Sequence, residues 1–133
     1  MLYIMRHGKT EWNVRHKLQG RTDIPLNEEG RKMAEKAHEE YKDINIDICY
    51  CSPLVRARET AEIVLRGRNI PILTDDRLVE MSFGEYEGVE NSFHIPDCRS
   101  SYRCPGNAVP DCQTAMRKTP HFSTAVIRRI HLP

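Results

Sequence analysis

The sequence lacks any long hydrophobic run. No stretch approaches the ~18 apolar residues that a membrane-spanning helix needs, which argues against insertion into a membrane. The opening apolar run, residues 1–5, already ends at Arg6, and this is too short for the hydrophobic region of a secretory signal peptide. These absences predict a cytoplasmic protein without a membrane partner.

Cysteine is too sparse and too irregularly spaced for a disulfide framework or a metal site. The chain has five cysteines, and an odd number without a secretory signal favours reduced thiols. The gaps do not form two C-x-x-C pairs, so the spacing does not support structural zinc. Cys49 and Cys51 instead fit a buried strand.

Charge is almost balanced over the whole chain but not along it. The formal net charge is +1, yet residues 1–90 hold 14 Lys and Arg against 17 Asp and Glu, whereas residues 91–133 hold 6 against 2. Five of the eight prolines also lie beyond residue 91. Six basic residues spread over 43 positions are weak support for a nucleic-acid arm, so no nucleic-acid partner is expected. The composition therefore changes character near residue 91.

Apolar runs alternate with helix signals over the first 75 residues. Residues 1–5 predict a strand buried on both faces, and 44–51 and 70–73 predict two more strands. Between them, Asn27 predicts the N-cap of one helix, and Ser52-Pro53 predicts the start of another. The order β-α-β-α-β predicts a parallel sheet covered by helices.

The C-terminal region shows no such alternation. Residues 99–120 contain few aliphatic side chains and three prolines, which predicts irregular chain. Residues 123–130 are compatible with either a strand or a short helix, and their pattern does not choose between the two.

Three polar segments follow the predicted strands, where α/β sheets place their ligands. The first is Arg6-His7-Gly8, with Thr10 and Asn13 close behind it. The second, residues 52–61, begins a helix and carries Arg56, and the third, residues 77–88, brings carboxylates beside two glycines. Together they offer a nucleophilic imidazole, a cationic clamp for an anion and an acid.

In this order the segments resemble the histidine phosphatase superfamily, in its phosphoglycerate mutase-like branch, over about residues 1–94. The matching patterns are R-H-G-x-T at 6–10, Asn13, G-x-x-D-x-P-L-x-x-x-G at 20–30, S-x-L-x-R-A-x-x-T-A at 52–61 and R-L-x-E-x-x-x-G-x-x-E-G at 77–88. The resemblance implies an α/β fold with a parallel sheet covered by helices on both faces. It also implies that residues 1–97 are the N-terminal part of such a domain and that residues 98–133 are a divergent, irregular tail.

The resemblance implies a role for each matching residue. His7 would attack phosphorus and become a phosphohistidine, while Glu80 would give and take the proton, for which it needs partial burial. Glu85 and Glu87 compete for that role, or are surface charges or caps of a turn. No metal or other cofactor is implied, and the substrate would be a small phosphate ester, handled by a phosphatase or a phosphoglycerate mutase. The residues that would hold the phosphoryl group and the substrate are Arg6, Asn13, Gln19, Gly20 and Arg56.

One part of the family pattern is absent from these 133 residues. The pattern continues with a G-G-E-S-like segment and an apolar strand that ends in a second histidine and a glycine, but no His-Gly pair follows Gly8. The later histidines, His94, His121 and His131, lack that context. Since one lost donor typically costs ~10²–10³ in rate, we expect very low activity, or a non-catalytic, truncated remnant. The resemblance places the missing strand beside the first, so its loss would expose a strand edge.

The change of composition near residue 98 suggests the hypothesis that the tail is an out-of-frame translation, a truncated gene or an altered splice or assembly product. We expect another reading frame of the coding DNA beyond Asp97 to contain a G-G-E-S-like segment and an apolar run ending in His-Gly. Translation of all frames checks this, and the absence of both features from every frame would show the hypothesis to be wrong.

Overall fold

The computed structural model describes residues 1–90 and the backbone of residues 124–128. None of the helices in these two ranges combines the length and the apolar character that crossing a membrane requires. In chain order, the elements are β1 (Leu2–Arg6), α1 (Glu11–Val14), α2 (Glu28–Tyr41), β2 (Ile48–Cys51), α3 (Val55–Val64), β3 (Ile72–Thr74) and β4 (Thr124–Arg128), with 3₁₀ turns at Asp76–Leu78 and Gly84–Tyr86.

The four strands form one sheet in the order β1-β4-β2-β3. β2 and β3 are parallel, and β4 runs antiparallel to both of its neighbours, β1 and β2. The first three strands of the chain therefore share one direction, as predicted, and the fold is α/β. The sheet as a whole is mixed, where a parallel sheet was predicted, because β4 is antiparallel. An antiparallel strand satisfies the backbone N–H and C=O groups of its neighbours as completely as a parallel one.

β4 also answers two expectations about the tail. The sequence pattern of residues 123–130 did not choose between a strand and a helix, and the structure has a strand there, over Thr124–Arg128. Part of the tail that was expected to be irregular therefore belongs to the sheet. This strand pairs with one edge of β1, and β1 is the outer strand of the sheet among the described residues. The proposed boundary at residue 97 lies outside the described residues.

Both long helices pack on one face of the sheet. The core on that face contains Cys49 and Cys51, as predicted, with Ala34 from α2 and Ala61 and Val64 from α3. Burial raises the pKa of Cys49 to about 12 and raises that of Cys51 as well, so both thiols are protonated, unreactive core side chains at neutral pH.

The opposite face carries no helix among the described residues, where a covering layer on both faces was predicted. Leu2 and Ile4 on β1 are 56% and 63% exposed, and Leu73 on β3 is also exposed. The prediction that β1 is buried on both faces is therefore wrong for one face. Alternate residues of a strand point to opposite faces, and α2 and α3 reach only the side that holds Tyr3 and Met5.

The two helix starts differ in how well the sequence predicts them. Asn27 caps α2 as predicted, since its Oδ1 accepts a hydrogen bond from the Gly30 N–H at 2.8 Å. α3 begins at Val55 and not at Ser52-Pro53, because a carboxylate from a distant loop caps it: Asp23 Oδ1 accepts from the Val55 N–H at 2.7 Å. A cap that arrives from 32 residues away leaves no local signal in the sequence.

The start of α2 lies in direct contact with the turn that follows β1. A Cβ atom on Gly8 would lie 2.6 Å from the Gly30 carbonyl oxygen, and a Cβ atom on Gly30 would overlap the Lys9 backbone, 2.7 Å from its nitrogen and nearer still to its oxygen. Real Cβ atoms do not approach backbone atoms this closely. Two glycines therefore allow α2 to pack against the turn that carries His7.

We predict that Gly30→Ala lowers the free energy of unfolding by about 1–3 kcal/mol, because the added methyl group must displace one of two backbone segments. Urea denaturation measures the change. Lys36→Ala, an exposed substitution on the same helix, is the control and should change stability by less than about 0.5 kcal/mol. A Gly30→Ala variant as stable as the control, or more stable, would contradict the packing described here.

Candidate active site

His7 follows β1 directly, in the turn at the carboxyl end of that strand. Its Nδ1 lies 2.6 Å from the Gly8 carbonyl oxygen, and a carbonyl only accepts hydrogen bonds, so Nδ1 carries the proton. Burial lowers the pKa of His7 to about 4; the bond to Gly8 opposes this effect, and the charges of Arg56 and Arg6 add to it. At neutral pH the ring is therefore uncharged, with an unprotonated Nε2.

Arg56 is a buried cation in the first turn of α3, with 1% of its surface exposed. Nη1 donates to the Thr22 carbonyl at 2.9 Å, and Nη2 donates to the Gly20 carbonyl at 2.7 Å. Burial lowers its pKa, while the negative charges of Glu80, Asp23 and Glu87 act in the opposite direction. The guanidinium group is therefore fixed by carbonyl dipoles and stabilised by carboxylates around it.

Thr60 joins the His7 turn to α3. Its Oγ1 accepts from the Gly8 N–H at 3.0 Å and donates to the Arg56 carbonyl, one turn earlier on the helix, at 2.7 Å. The side chain is 2% exposed, so water does not compete for these bonds. Thr60 thus fixes the nucleophile's turn relative to the helix that carries Arg56.

A second hydrogen-bonded group holds Asn13 and Gln19. Thr10 caps α1: its N–H donates to Asn13 Oδ1 at 3.0 Å, and its Oγ1 accepts from the Asn13 N–H. The Thr10 hydroxyl lies 2.8 Å from Gln19 Oε1, and Gln19 is 9% exposed. Since these bonds use the side-chain oxygens of Asn13 and Gln19, their amide N–H groups are the donors that face other partners.

Glu80 and Arg6 complete the candidate site. Glu80 is 9% exposed, which confirms the predicted burial, and its Oε1 accepts from the Met81 N–H at 3.1 Å. Its charge acts on Arg56, and its backbone carbonyl accepts from Arg21 Nε at 3.2 Å. Arg6 is exposed at the end of β1 and makes no hydrogen bond or ion pair within residues 1–90. The charges of Arg6 and Arg56 act on His7, and that of Glu80 acts on Arg56, so the structure brings these four residues near one another.

The family comparison agrees with this arrangement. A family model described as the histidine phosphatase superfamily, branch 1, matches residues 2–110. The chain belongs to the histidine phosphatase superfamily. The match extends beyond the resemblance seen over about residues 1–94, and the phosphoglycerate mutase-like branch is the one that the relatives support.

The similar proteins are phosphatases and phosphoglycerate mutase-like proteins. The chain is 40% identical over 111 residues to "Uncharacterized phosphatase PhoE" of Bacillus subtilis, a match that covers 84% of this chain and 54% of that protein. It is 36% identical over 86 residues to "Probable phosphoglycerate mutase GpmB" of Cronobacter sakazakii, covering 65% of this chain and 40% of that protein.

Among solved structures, Bacillus stearothermophilus YhfR is similar to the chain with a TM-score of 0.63 and 42% identity, over 68% of this chain and 45% of that one. The chain therefore spans about half the length of the relatives it matches.

The second histidine of the superfamily has no counterpart in the described residues. His94, His121 and His131 lie outside them. β4 starts beside Arg6, near His7, and ends with Arg128 beside Leu2. β4 therefore runs away from His7 along the sheet.

Sequence reasoning gave no role to Thr60 and left the role of Glu87 open, although both hold this site together. Thr60 lies inside the predicted helix motif, but its bond to Gly8 spans 52 residues and is invisible in a local pattern. Glu87 was expected to be an acid, a surface charge or a turn cap, and it is a cap: its carboxylate accepts from the backbone N–H groups of Arg21 and Thr22. Gly84 and Gly88, on either side of Glu87, were the sequence feature that indicated a turn here.

We predict that the His7 ring stays neutral from pH 8 to about pH 5.5 and titrates near pH 4. NMR of the histidine ring protons measures this, and His7→Asn identifies the signal by its loss. The pKa of His7 in the folded chain, about 4, lies below the ordinary value of 6.5. Between pH 4 and pH 6.5 the unfolded chain therefore binds a proton at this ring that the folded chain does not bind. The free energy of unfolding therefore falls as the pH falls through that window. A His7 signal that titrates at 6.5 or above would contradict the burial of the ring.

Proposed function

We propose that this chain is a phosphatase that acts on small phosphate esters through a phosphohistidine on His7. The observation that carries the proposal is the state of His7: its Nδ1–H is held by the Gly8 carbonyl, its pKa is lowered to about 4, and two arginine charges act on it. A neutral imidazole with a free Nε2 beside cations combines a nucleophile with binding groups for a phosphoryl anion.

In the first step, His7 Nε2 forms a bond to phosphorus while the bond from phosphorus to the ester oxygen breaks. Arg6 and Arg56 hold the non-bridging oxygens, over which the negative charge of the transferring phosphoryl group is spread. Asn13 supports them with its amide N–H group, while Gln19 and Gly20 shape the same side of the site. Glu80 takes up a proton as the phosphate ester binds and gives it to the leaving oxygen, so the alcohol departs neutral.

In the second step, water attacks the phosphohistidine. Glu80, now a carboxylate, takes a proton from the water as its oxygen bonds to phosphorus, and the bond from phosphorus to Nε2 breaks. Inorganic phosphate leaves and carries that proton away, so His7 is again neutral and Glu80 is again a carboxylate. The same carboxyl group serves as acid and then as base, as reversibility requires.

The second candidate function is phosphoglycerate mutase activity, which the match to a protein named "Probable phosphoglycerate mutase GpmB" supports. The two functions differ in what receives the phosphoryl group. A phosphatase needs only water, whereas a mutase must retain a bisphosphate and turn it around within the site. Assays of p-nitrophenyl phosphate hydrolysis and of 3- to 2-phosphoglycerate interconversion separate them.

We further propose that residues 1–97 form the N-terminal part of the phosphatase domain and that residues 98–133 diverge from it. The changed composition beyond residue 91 supports this division. On this basis we expect slow turnover by these 133 residues, because the donor that a second histidine would supply is worth ~10²–10³ in rate. Phosphate binding without any turnover would instead indicate a non-catalytic remnant.

We predict that Arg56→Ala lowers the rate of p-nitrophenyl phosphate hydrolysis by about 10²–10³, because it removes a cation that stabilises the transferring phosphoryl group. Arg58→Ala is the matched control: it lies two residues further on α3, is exposed and pairs only with Glu62 among the described residues. His7→Ala should abolish hydrolysis. Equal rates for the Arg56 and Arg58 variants, or hydrolysis that survives His7→Ala, would contradict the proposed function.

A further inference from the structure

The carboxylate of Glu87 binds the loop of residues 20–22, whose carbonyl groups hold Arg56. Its Oε1 accepts from the Arg21 N–H at 3.0 Å and from the Phe83 N–H at 3.0 Å, and it also lies 3.2 Å from Ser82 Oγ. Its Oε2 accepts from the Thr22 N–H at 2.9 Å and from the Thr22 hydroxyl. Partial burial would raise the pKa of this carboxyl group, but the hydrogen bonds outweigh that effect and lower it to about 2. The carboxylate is therefore charged and fully engaged at neutral pH.

The backbone of the loop is shaped around this carboxylate. Gly20 has a φ of +52°, which favours glycine. A Cβ atom at Gly20 would lie 2.8 Å from Glu87 Cδ and nearer still to Oε1. The absence of a side chain at Gly20 thus allows the carboxylate to reach the N–H groups of the next two residues.

One peptide group connects Glu87 with Arg56. The peptide between Gly20 and Arg21 donates its N–H to Glu87 and accepts from Arg56 Nη2 through its C=O. Thr22 also contacts both groups, since its N–H donates to Glu87 and its C=O accepts from Arg56 Nη1, but these belong to two different peptides, so only the Gly20–Arg21 peptide links Glu87 and Arg56 directly. A negative charge on the N–H side and a positive charge on the C=O side polarise the peptide in the same direction, so the two sets of bonds strengthen one another.

We infer that Glu87 is a positioning residue for Arg56: through the backbone of residues 20–22 it fixes the two carbonyl groups that hold the guanidinium in the site. This inference rests on the proposed function only in giving Arg56 a phosphoryl group to bind. Arg56 is almost completely buried, so its position depends on the carbonyls that surround it. Misplacement of a positioning group by about 1 Å can cost roughly 10² in rate.

The chain offers a matched control for Glu87. Glu85 lies two residues earlier, in the 3₁₀ turn Gly84–Tyr86, and is exposed. Within residues 1–90 its side chain makes no hydrogen bond or ion pair. A change from Glu to Gln at either position removes one charge from the same segment, but only at position 87 does it place an amide N–H₂ group against backbone and hydroxyl donors.

The test compares the ¹⁵N-edited NMR signals of the Arg56 guanidinium in the wild-type chain, Glu87→Gln and Glu85→Gln, with hydrolysis measured on the same samples. In Glu87→Gln we expect the Arg56 Nη–H protons to exchange faster with water and their signals to change chemical shift. In Glu85→Gln we expect no change in either quantity. Hydrolysis should fall by about 10²-fold in kcat for the position-87 variant alone. The double variant Glu87→Gln with Arg56→Lys should lose no more activity than Arg56→Lys, because both changes act on one group.

Unchanged Arg56 signals in Glu87→Gln, or equal changes in Glu85→Gln, would overturn the inference. If Glu87→Gln does not fold, Thr22→Val removes one of the five hydrogen bonds and should shift the same signals by a smaller amount; no shift would also overturn it. The guanidinium signals do not depend on turnover. A wild-type chain without hydrolysis whose Arg56 signals still respond to position 87 would therefore refute the proposed function and leave the positioning role standing.

Discussion

The site depends on a buried positive charge, the guanidinium group of Arg56. Removing such a group from water costs several kcal/mol unless polar partners replace the lost hydration. Here the replacement consists of the carbonyls of Gly20 and Thr22 and of the surrounding carboxylates, chiefly Glu80 and Asp23. These partners come from loops on either side of α3, so the need to stabilise one cation fixes several segments of chain around the carboxyl ends of the strands.

Burial chiefly sets the protonation state of His7, and the charge of Arg56 adds to its effect. The imidazole is partly buried, and both this burial and the positive charge of Arg56 disfavour a second proton on the ring. The hydrogen bond that the Gly8 N–H donates to Thr60 Oγ1 holds the His7 turn against α3, which carries Arg56. A neutral nucleophile and a fixed cation thus follow from a single packing arrangement between the β1 turn and α3.

Sequence reasoning succeeded where the cause is local and failed where it is distant. The strands before His7 and Ser52, the Asn27 cap and the buried pair Cys49 and Cys51 follow from short-range patterns, and the structure confirms them. The true start of α3, the fixing of Arg56 by loop carbonyls and the bond from Thr60 to Gly8 each join segments more than 30 residues apart. Such contacts depend on the folded arrangement and leave no periodic signal in the sequence. The antiparallel direction of β4 is of the same kind, because any strand with suitable alternation can pair in either direction.

The central claim is that His7 carries the phosphoryl group between substrate and water. The most direct measurement is to mix the chain with p-nitrophenyl phosphate, quench in alkali, which preserves a bond between phosphorus and nitrogen, and map the modified peptide by mass spectrometry. The account predicts a phosphoryl group on His7 that disappears on mild acid treatment and is absent from the His7→Ala variant. Hydrolysis with an unmodified His7, or a phosphoryl group on any other residue, would contradict it.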